Sequence, residues 1–282
     1  MGQLLCKHQD QEGYGLSYDL WKGFPAHEIL VLQDRNVGIG FFDDFLKVGN
    51  TSLYDGYIRV QTGSGTVAQV ASIADTVAGD KKGARGICRL LTGAADLDEA
   101  IIGYGAGLDA PFKLVTGDLC FECRVAWSNI TVDAHGQFVG LGELGTGVTL
   151  KVLDNADPPV ICNDYDLIGF QRLQGETSAL DAMYQVGGQT KVDGAVNTNL
   201  DTLHTIVITE YVKLGFRFRA GTNSLHWFIN GVEQADAKLG TAVLAAATFP
   251  NDNFMTPVAA NVNDGTAACN FDMDWWACAQ ET

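Results

Sequence analysis

The sequence is poor in basic residues and contains no long apolar run. Lys and Arg total 18 against 34 Asp and Glu, which leaves a formal net charge of −16. Nucleic acids and anionic membranes are bound mainly through Lys and Arg, so both are disfavoured as partners. No run approaches the roughly 20 apolar residues of a membrane-spanning helix, and residues 1–10 lack the apolar segment of a signal peptide. We therefore expect a chain made in the cytoplasm and neither exported by a signal peptide nor anchored in a membrane.

Proline and cysteine are also scarce. Six prolines against 33 glycines suit a chain with many short turns. The seven cysteines are an odd number, which argues against a disulfide framework. Cys120 and Cys123 form a single CxxC motif, but a spacing of three within an alternating strand places them on opposite faces. They are interpreted as small buried thiols and not as a metal or redox pair.

The clearest local pattern is a β-hairpin between Tyr211 and Gly231. Both of its arms alternate apolar and polar residues, and Ala220 to Asn223 supply a four-residue loop. Pairing Arg219 with Ser224 sets every large apolar residue opposite another one, whereas a slip of one residue would oppose apolar and polar groups. The predicted buried pairs are Phe218 with Leu225, Phe216 with Trp227, and Leu214 with Ile229.

Other segments continue the β pattern. Leu119–Trp127 alternates almost as clearly as the hairpin. The segment 96–100 carries acidic residues that suit the first turn of a helix, but the glycines that follow Ile102 favour a turn into a strand at Ala100–Tyr104. Many short strands separated by turn residues, without a convincing amphipathic helix, indicate a β-sandwich or a barrel.

Several blocks of sequence occur in a characteristic order. They are residues 91–100 (LTGAADLDEA), 111–114 (PFKL), 119–125, 225–232 (LHWFINGV), 255–258 (MTPV) and 272–276 (DMDWW). In this order they resemble tailed-phage virion proteins with a concanavalin A-like, or laminin G-like, jelly-roll domain. The resemblance implies an all-β, two-sheet antiparallel jelly-roll sandwich over residues 41–282, preceded by an extended N-terminal arm or small subdomain over residues 1–40.

The same resemblance implies a function in a virus particle. We expect a non-enzymatic structural protein of the virion, a decoration or cement protein that binds the major capsid protein lattice on the capsid surface and forms a homo-oligomer. Two alternatives remain open, because a fold does not dictate a function. One is a carbohydrate-binding adhesin, and the other is a glycoside hydrolase.

The segment 272–276 is the strongest candidate for contact with a glycan. Strict alternation places Asp272, Asp274 and Trp276 on one face of a strand. Glycosidases need two carboxyl groups at a fixed separation across the sugar. The segment lacks the Glu-x-Asp-x-x-Glu pattern of such enzymes, so we predict glycan-facing residues and no catalytic residue.

Metal ligands have weak signatures. Residues 154–157 and 163–166 are rich in Asp and Asn and can supply oxygen ligands to calcium, but neither segment has the glycine-centred twelve-residue loop. The five histidines have no paired spacing suited to zinc. The sequence therefore predicts no metal site and no cofactor.

The N-terminal segment carries more apolar surface than a free tail would expose, so we expect it to bind a partner. That partner can be its own sandwich, a sister subunit or a capsid protein. The candidate contact residues are Trp21, Phe24, Ile29, Leu30, Val31 and Leu32.

Overall fold

The computed structural model describes residues 15–45, 57–70, 86–95, 98–105, 110–128, 130, 135–143, 152–154, 159–173, 178–208, 210–263, 265 and 267–282. Helical structure in these residues is limited to short segments. They are α1 (Tyr18–Trp21), a π-helical turn (His27–Val31), three 3₁₀ turns (Thr198–Leu200, Ala220–Thr222 and Ala235–Ala237) and α2 (Thr241–Leu244). Within the described ranges, no helix is long and apolar enough to cross a membrane.

The larger of the two main sheets, sheet A, has eight strands. Its order is β15 (Val232–Glu233), β14 (Ser224–Ile229), β13 (Val212–Arg219), β6 (Leu119–Trp127), β17 (Cys269–Glu281), β4 (Ile87–Thr92) and β3 (Thr66–Val70). β1 (Gly38–Asp43) joins the same sheet by pairing with the second half of β17, beyond the part that pairs with β4. Every pairing is antiparallel.

The second main sheet, sheet B, has seven strands. Its order is β12 (His204–Thr205), β11 (Ala179–Gln185), β10 (Leu167–Arg172), β7 (His135–Glu143), β16 (Met255–Asn263), β5 (Asp98–Tyr104) and β2 (Tyr57–Thr62). A separate small hairpin consists of β8 (Leu153–Asp154) and β9 (Val160–Ile161). These pairings are also antiparallel, so the predicted all-β two-sheet sandwich is confirmed.

The predicted hairpin register is confirmed pair by pair. Arg219 lies opposite Ser224, Phe216 opposite Trp227, and Leu214 opposite Ile229. The loop closes with Asn223 in the left-handed region, at a φ of 44°. The next turn places both Asn230 and Gly231 at positive φ and leads into β15, as the Asn-Gly pair predicts.

The main core lies between the two sheets. Phe216 stacks on Phe121 of β6 with ring centroids 5.2 Å apart, and Trp227 meets Phe170 of sheet B edge to face at the same distance. Phe216, Phe218, Leu225 and Trp227 are all buried, as predicted. These contacts join the two sheets through large rings, whose burial makes the greatest contribution per residue to the hydrophobic free energy.

The outer face of sheet B carries a second apolar cluster. Phe138 of β7 and Val258 and Ala260 of β16 point away from the main core and are nevertheless buried. The β8–β9 hairpin contributes Leu153 and Ile161 to this cluster. The centre of this face is therefore apolar and covered, and its polar groups lie near the strand ends.

The N-terminal segment folds back onto the outer face of sheet A. Trp21, Phe24 and Ile29 pack against a patch that includes Phe228 of β14 and Ala279 of β17. Of the three docking partners that the sequence left open, the described residues use the chain's own sandwich. β1 then follows directly and pairs with β17.

A buried carboxyl group holds this segment in place. Oε2 of Glu122 accepts hydrogen bonds from the backbone N–H of Ser17 at 2.9 Å and from Nε1 of Trp21 at 2.8 Å. Burial raises the pKa of the Glu122 carboxyl, while the charge of Lys213 and the two donors oppose that rise. Glu122 thus satisfies two donors of the segment that would otherwise be buried without a partner.

Two cations of β13 bind backbone oxygens of the same segment. Nζ of Lys213 donates to the carbonyl oxygen of Gly15 at 3.2 Å. Nη1 of Arg217 donates to those of Leu20 and Lys22 at 3.2 and 2.7 Å, where α1 ends with unpaired carbonyl groups. The face of β13 that carries Lys213 and Arg217 is therefore a docking face for the N-terminal segment.

Replacing Phe216 with Ala should lower the free energy of unfolding by about 3–5 kcal/mol, because the ring leaves a cavity between the sheets. Urea denaturation followed by tryptophan fluorescence measures this change. Val232→Ala is the control, since Val232 is 64 % exposed and its truncation should cost less than about 0.5 kcal/mol. Equal effects of the two changes would contradict this account of the core.

Replacing Glu122 with Ala should loosen the N-terminal segment, because the N–H groups of Ser17 and Trp21 lose a buried acceptor at about 1–3 kcal/mol each. Trypsin should then cleave after Lys22 and Arg35 faster than in the parent chain. Glu28→Gln, at an exposed position of the same segment, should leave the cleavage rate unchanged. Parental cleavage rates in Glu122→Ala would show that this carboxyl does not hold the segment.

Candidate functional site

The predicted partner-binding residues of the N-terminal segment divide into two groups. Trp21, Phe24 and Ile29 are at most 7 % exposed and face their own sandwich. Leu30 is partly buried against the same cluster, whereas Val31 and Leu32 are 55 % and 62 % exposed. Val31 and Leu32 therefore keep most of the surface in this set that a second molecule can contact.

The predicted glycan-facing set is not brought together. Strict alternation fails because β17 has a bulge between Met273 and Trp275, which shifts the remaining residues to the opposite face. Trp276 is consequently fully buried in the main core, where its ring stacks on Tyr57. The prediction that Trp276 shares a face with Asp272 and Asp274 was wrong.

Both aspartates of that segment are engaged by arginines. Arg89 binds Asp272 through two parallel hydrogen bonds of 2.7 and 2.9 Å. Arg124 binds Asp274 at 2.5 Å, and its guanidinium lies 4.1 Å from the ring centroid of Tyr211. With carboxyl exposures of only 5 % and 9 %, these groups are poorly placed to act on a sugar.

The two candidate calcium loops are residues 154–157 and 163–166. Residues 155–157 lie outside the described part of the chain. In the other loop the carbonyl oxygen of Asn163 accepts a hydrogen bond from Gly188, and Asp166 accepts one from Gly187. Among the described residues, no group of three or more His, Cys, Asp or Glu side chains is arranged to hold a metal ion.

A different set of functional groups meets at one rim of sheet B. Here β7 ends at Glu143, β10 begins just after Asp166, and β16 begins just after Phe254. Leu167 pairs with Gly142, and Met255 pairs with Glu143, so these three neighbouring strands end at the same level. We call this set the Phe254 rim, and its members are Lys113, Glu143, Asp166, Asp252 and Phe254.

Phe254 is the exposed part of the rim. Its side chain is 57 % exposed. Nζ of Lys113 lies 5.5 Å from the ring centroid and donates a hydrogen bond to the backbone oxygen of Asp252 at 2.6 Å. Asn251 anchors the preceding turn by donating to Leu244 at 2.9 Å. The ring is therefore presented on an ordered turn.

The carboxyl group of Asp166 interacts with that of Asp252, which belongs to this turn. Oδ1 of Asp166 accepts from the N–H of Gly187 at 2.8 Å, and Oδ2 is buried without a hydrogen-bond donor. The Asp166 carboxyl lies against that of Asp252. Two carboxyl groups can pair only if they share a proton. Asp166 is 1 % exposed and Asp252 is exposed, so Asp252 is the group that a ligand can reach.

This arrangement changes the acidity of Asp166. Burial raises its pKa from 3.8 to about 6, the Gly187 N–H opposes the rise, and the neighbouring charges of Asp252 and Glu143 reinforce it. The Asp166 carboxyl is therefore ionised near neutral pH and largely protonated below about pH 6.

Sequence reasoning identified only one member of the rim. Asp166 belongs to a segment that was considered for calcium, whereas Glu143, Asp252 and Phe254 were not singled out. The available signal was the turn 250–254 (PNDNF), in which polar residues lead to an aromatic one just before a strand. That signal is weak, since polar turns before strands are common.

The chain is similar in structure to lectin-like domains. One is the carbohydrate recognition domain of Emp47p, with a TM-score of 0.53, 10 % identity and coverage of 88 % of this chain and 99 % of that one. Another is peanut lectin, with a TM-score of 0.51, 10 % identity and coverage of 87 % and 97 %. A third comes from work on endo-acting O-glycanases of the human gut microbiota, with a TM-score of 0.53, 11 % identity and coverage of 85 % and 98 %.

No protein-family model matches the sequence, and no curated protein does so either. At these identities the structural likeness establishes the fold alone. The fold is a concanavalin A-like jelly-roll sandwich, as the sequence predicts. These neighbours lend no support to the phage-virion part of the resemblance.

The carboxyl pair of the rim should make folding stability depend on pH. A raised pKa in the folded chain stabilises it below the ordinary pKa of about 4, and this contribution is lost as the pH rises through about 6. NMR of ¹³C-labelled aspartate should show one carboxyl with a midpoint near 6, absent in Asp166→Asn.

Asp252→Asn provides the matched test of the pairing, because it removes the neighbouring charge and leaves the burial of Asp166 unchanged. The Asp166 midpoint should then fall toward its ordinary value. A parental midpoint near 4, or one that Asp252→Asn does not move, would contradict the pairing.

Proposed function

We propose that this chain is a glycan-binding module and that the Phe254 rim is its binding site. The observation that carries the proposal is an exposed aromatic ring on an ordered turn that also carries the exposed carboxyl group of Asp252. A pyranose ring has an apolar C–H face that can pack on an aromatic ring, and hydroxyl groups around its edge that donate to carboxylates. The Phe254 rim offers both kinds of contact within one small area.

The location of the rim supports the same function. The centre of the outer face of sheet B is apolar and covered by the β8–β9 hairpin, so a ligand must approach from the strand ends. Loops held on a rigid sheet commonly carry binding residues. The neighbours described above as a carbohydrate recognition domain and a lectin share this fold, which makes a glycan a reasonable first ligand to test.

Charge restricts the class of glycan. The chain has a formal net charge of −16, and Glu143, Asp166 and Asp252 add local negative charge at the rim. The Lys113 ammonium is already bound to a backbone oxygen. Acidic sugars would be repelled by this field, so we propose neutral oligosaccharides as ligands.

Binding without cleavage is the function that the rim favours. Hydrolysis of a glycosidic bond needs two carboxyl groups that flank the bond. Asp166 has the raised pKa of an acid, but it is 1 % exposed and interacts with the carboxyl group of Asp252. We therefore retain the sequence-based expectation of a non-enzymatic role for this site. The virion location, the capsid lattice partner and the homo-oligomer stay predictions, since no contact among the described residues bears on them.

Phe254→Ala should weaken binding of a neutral oligosaccharide by about tenfold, as expected for the loss of one stacking ring worth about 1–1.5 kcal/mol. A glycan array identifies the ligand, and titration calorimetry at pH 7.5 measures the dissociation constant. Asp252→Asn should weaken the same ligand by removing a charged acceptor, worth about 1.5–3 kcal/mol.

The matched control is Phe42→Ala, which removes an exposed aromatic ring from sheet A, 47 % exposed and stacked on Trp275. It should leave the dissociation constant unchanged. Failure of the parent chain to bind any neutral glycan, or equal binding by Phe254→Ala, would overturn the proposed function.

A further inference from the structure

A separate group of side chains lies at the free edge of sheet A, on β14 and β15. Ser224 and His226 are two residues apart on β14 and therefore share its outer face. Oγ of Ser224 lies 2.8 Å from Nε2 of His226. Nδ1 of His226 lies 2.7 Å from Oε1 of Glu233 on β15. We call Ser224, His226 and Glu233 the hairpin relay.

The contacts of the relay assign its protons. A carboxylate can only accept a hydrogen bond, so Nδ1 of His226 carries the hydrogen that Glu233 receives. Burial lowers the pKa of His226, the bond and charge of Glu233 oppose this, and the nearby cations Arg219 and Lys238 lower it further. The ring is therefore neutral near pH 7, and its Nε2 accepts the hydroxyl proton of Ser224.

A cation stands beside the serine. Arg219 lies directly opposite Ser224 in the β13–β14 ladder, so both side chains leave the same face. Nε of Arg219 is a buried N–H group without a hydrogen-bond partner. The other arginine of this face, Arg217, is opposite His226 and is bound to the N-terminal segment and to Asp118. Arg219 is thus available to stabilise negative charge next to Ser224.

The serine is buried next to an exposed residue of the hairpin loop. Ser224 is 2 % exposed, and its Oγ lies 2.7 Å from Oγ1 of Thr222. Thr222 is an exposed residue of the hairpin loop. Rotation of the Thr222 side chain about χ1 breaks this contact, and surface rotamer changes occur within nanoseconds.

We propose that Ser224 is the nucleophile of an ester-hydrolysing site in which His226 is the general base and Arg219 the oxyanion donor. Ser224 contacts His226, and His226 contacts Glu233, in the same order as the nucleophile, general base and orienting carboxylate that activate a serine. Glu233 is a positioning residue, which holds the imidazole in the required tautomer. The substrate class is a carboxylic ester with a small acyl group. This proposal is independent of the Phe254 rim and goes beyond glycan binding.

The reaction balances with water as the only co-reactant. Oγ of Ser224 bonds to the ester carbonyl carbon, its proton passes to Nε2 of His226, and the carbonyl oxygen becomes an anion beside Arg219. The carbon–oxygen bond to the alcohol then breaks, and the alcohol leaves with the proton from Nε2. Water next loses a proton to Nε2 and adds to the acyl carbon, which releases the carboxylic acid and restores the serine hydroxyl.

The same contacts also hold the short edge strand β15 against β14. This structural role by itself would not make Ser224 reactive. The two roles are separated by measuring covalent chemistry on the folded chain. A fluorophosphonate probe should form an adduct that peptide mass spectrometry maps to Ser224. The labelling rate should rise with pH, be half-maximal below pH 6.5 and then reach a plateau, since it follows the neutral fraction of His226. Reaction driven by hydroxide would rise without a plateau.

The variants separate the roles of the three residues. Ser224→Ala should abolish the adduct, and His226→Asn should slow labelling by about 10²-fold, the usual contribution of a general base. Glu233→Gln, at an exposed position, should slow labelling with the fold intact and change the pH profile. His204→Asn, on sheet B, is the control and should label like the parent. Hydrolysis of p-nitrophenyl acetate should follow the same order.

Several results would contradict the proposed ester hydrolysis by the hairpin relay. They are the absence of an adduct on Ser224 in the folded chain at pH 8, labelling at another residue only, and parental labelling in both His226→Asn and Glu233→Gln. Circular dichroism of each variant confirms folding. If His226→Asn does not fold, the labelling rate of Glu233→Gln alone tests whether the relay activates Ser224. A positive result would also make the sequence-based expectation of a non-enzyme wrong.

Discussion

Strand β13 is buried on both faces, and the rest of the molecule is arranged around this constraint. Its apolar face, with Leu214, Phe216 and Phe218, enters the core between the sheets. Its polar face carries Lys213 and Arg217, which bind backbone oxygens of the N-terminal segment. Polar groups can be buried at little cost only when they are hydrogen-bonded, so the segment and the strand stabilise each other. Glu122 on the adjacent strand completes this arrangement by accepting from Ser17 and Trp21.

Because the N-terminal segment packs on the outer face of sheet A, the two sheets differ in the functional groups that they leave exposed. Much of the outer face of sheet A contacts the N-terminal segment, and its Asp272 and Asp274 are ion-paired. The centre of sheet B is apolar and covered. Exposed side chains with functional groups are found near the strand ends, with Asp252 and Phe254 at the rim of sheet B and Glu233 at the hairpin edge of sheet A. This distribution follows a general rule, in which a rigid sandwich supports loops that bind ligands.

The two proposed sites use charge differently. At the rim, burial together with the charges of Asp252 and Glu143 raises the pKa of Asp166. At the hairpin, burial together with Arg219 and Lys238 lowers the pKa of His226 and keeps the ring a proton acceptor. In each case burial is the largest cause of the shift, because a low-dielectric surrounding disfavours the charged form. Ligand binding and covalent chemistry are thus assigned to different parts of one chain.

Local patterns were sufficient to predict β6, β13, β14 and the hairpin register, because side-chain alternation has a period of two and a one-residue slip would expose the whole apolar face of β13. The opposite faces of Cys120 and Cys123 follow from the same rule and are confirmed, since they belong to different clusters. The bulge at Asp274 could not be predicted, because an extra residue is accommodated by pairing with neighbouring strands that are distant in sequence. The Phe254 rim and the docking of Trp21 on Glu122 likewise join residues that are far apart in the chain, and only the tertiary structure brings such residues into contact.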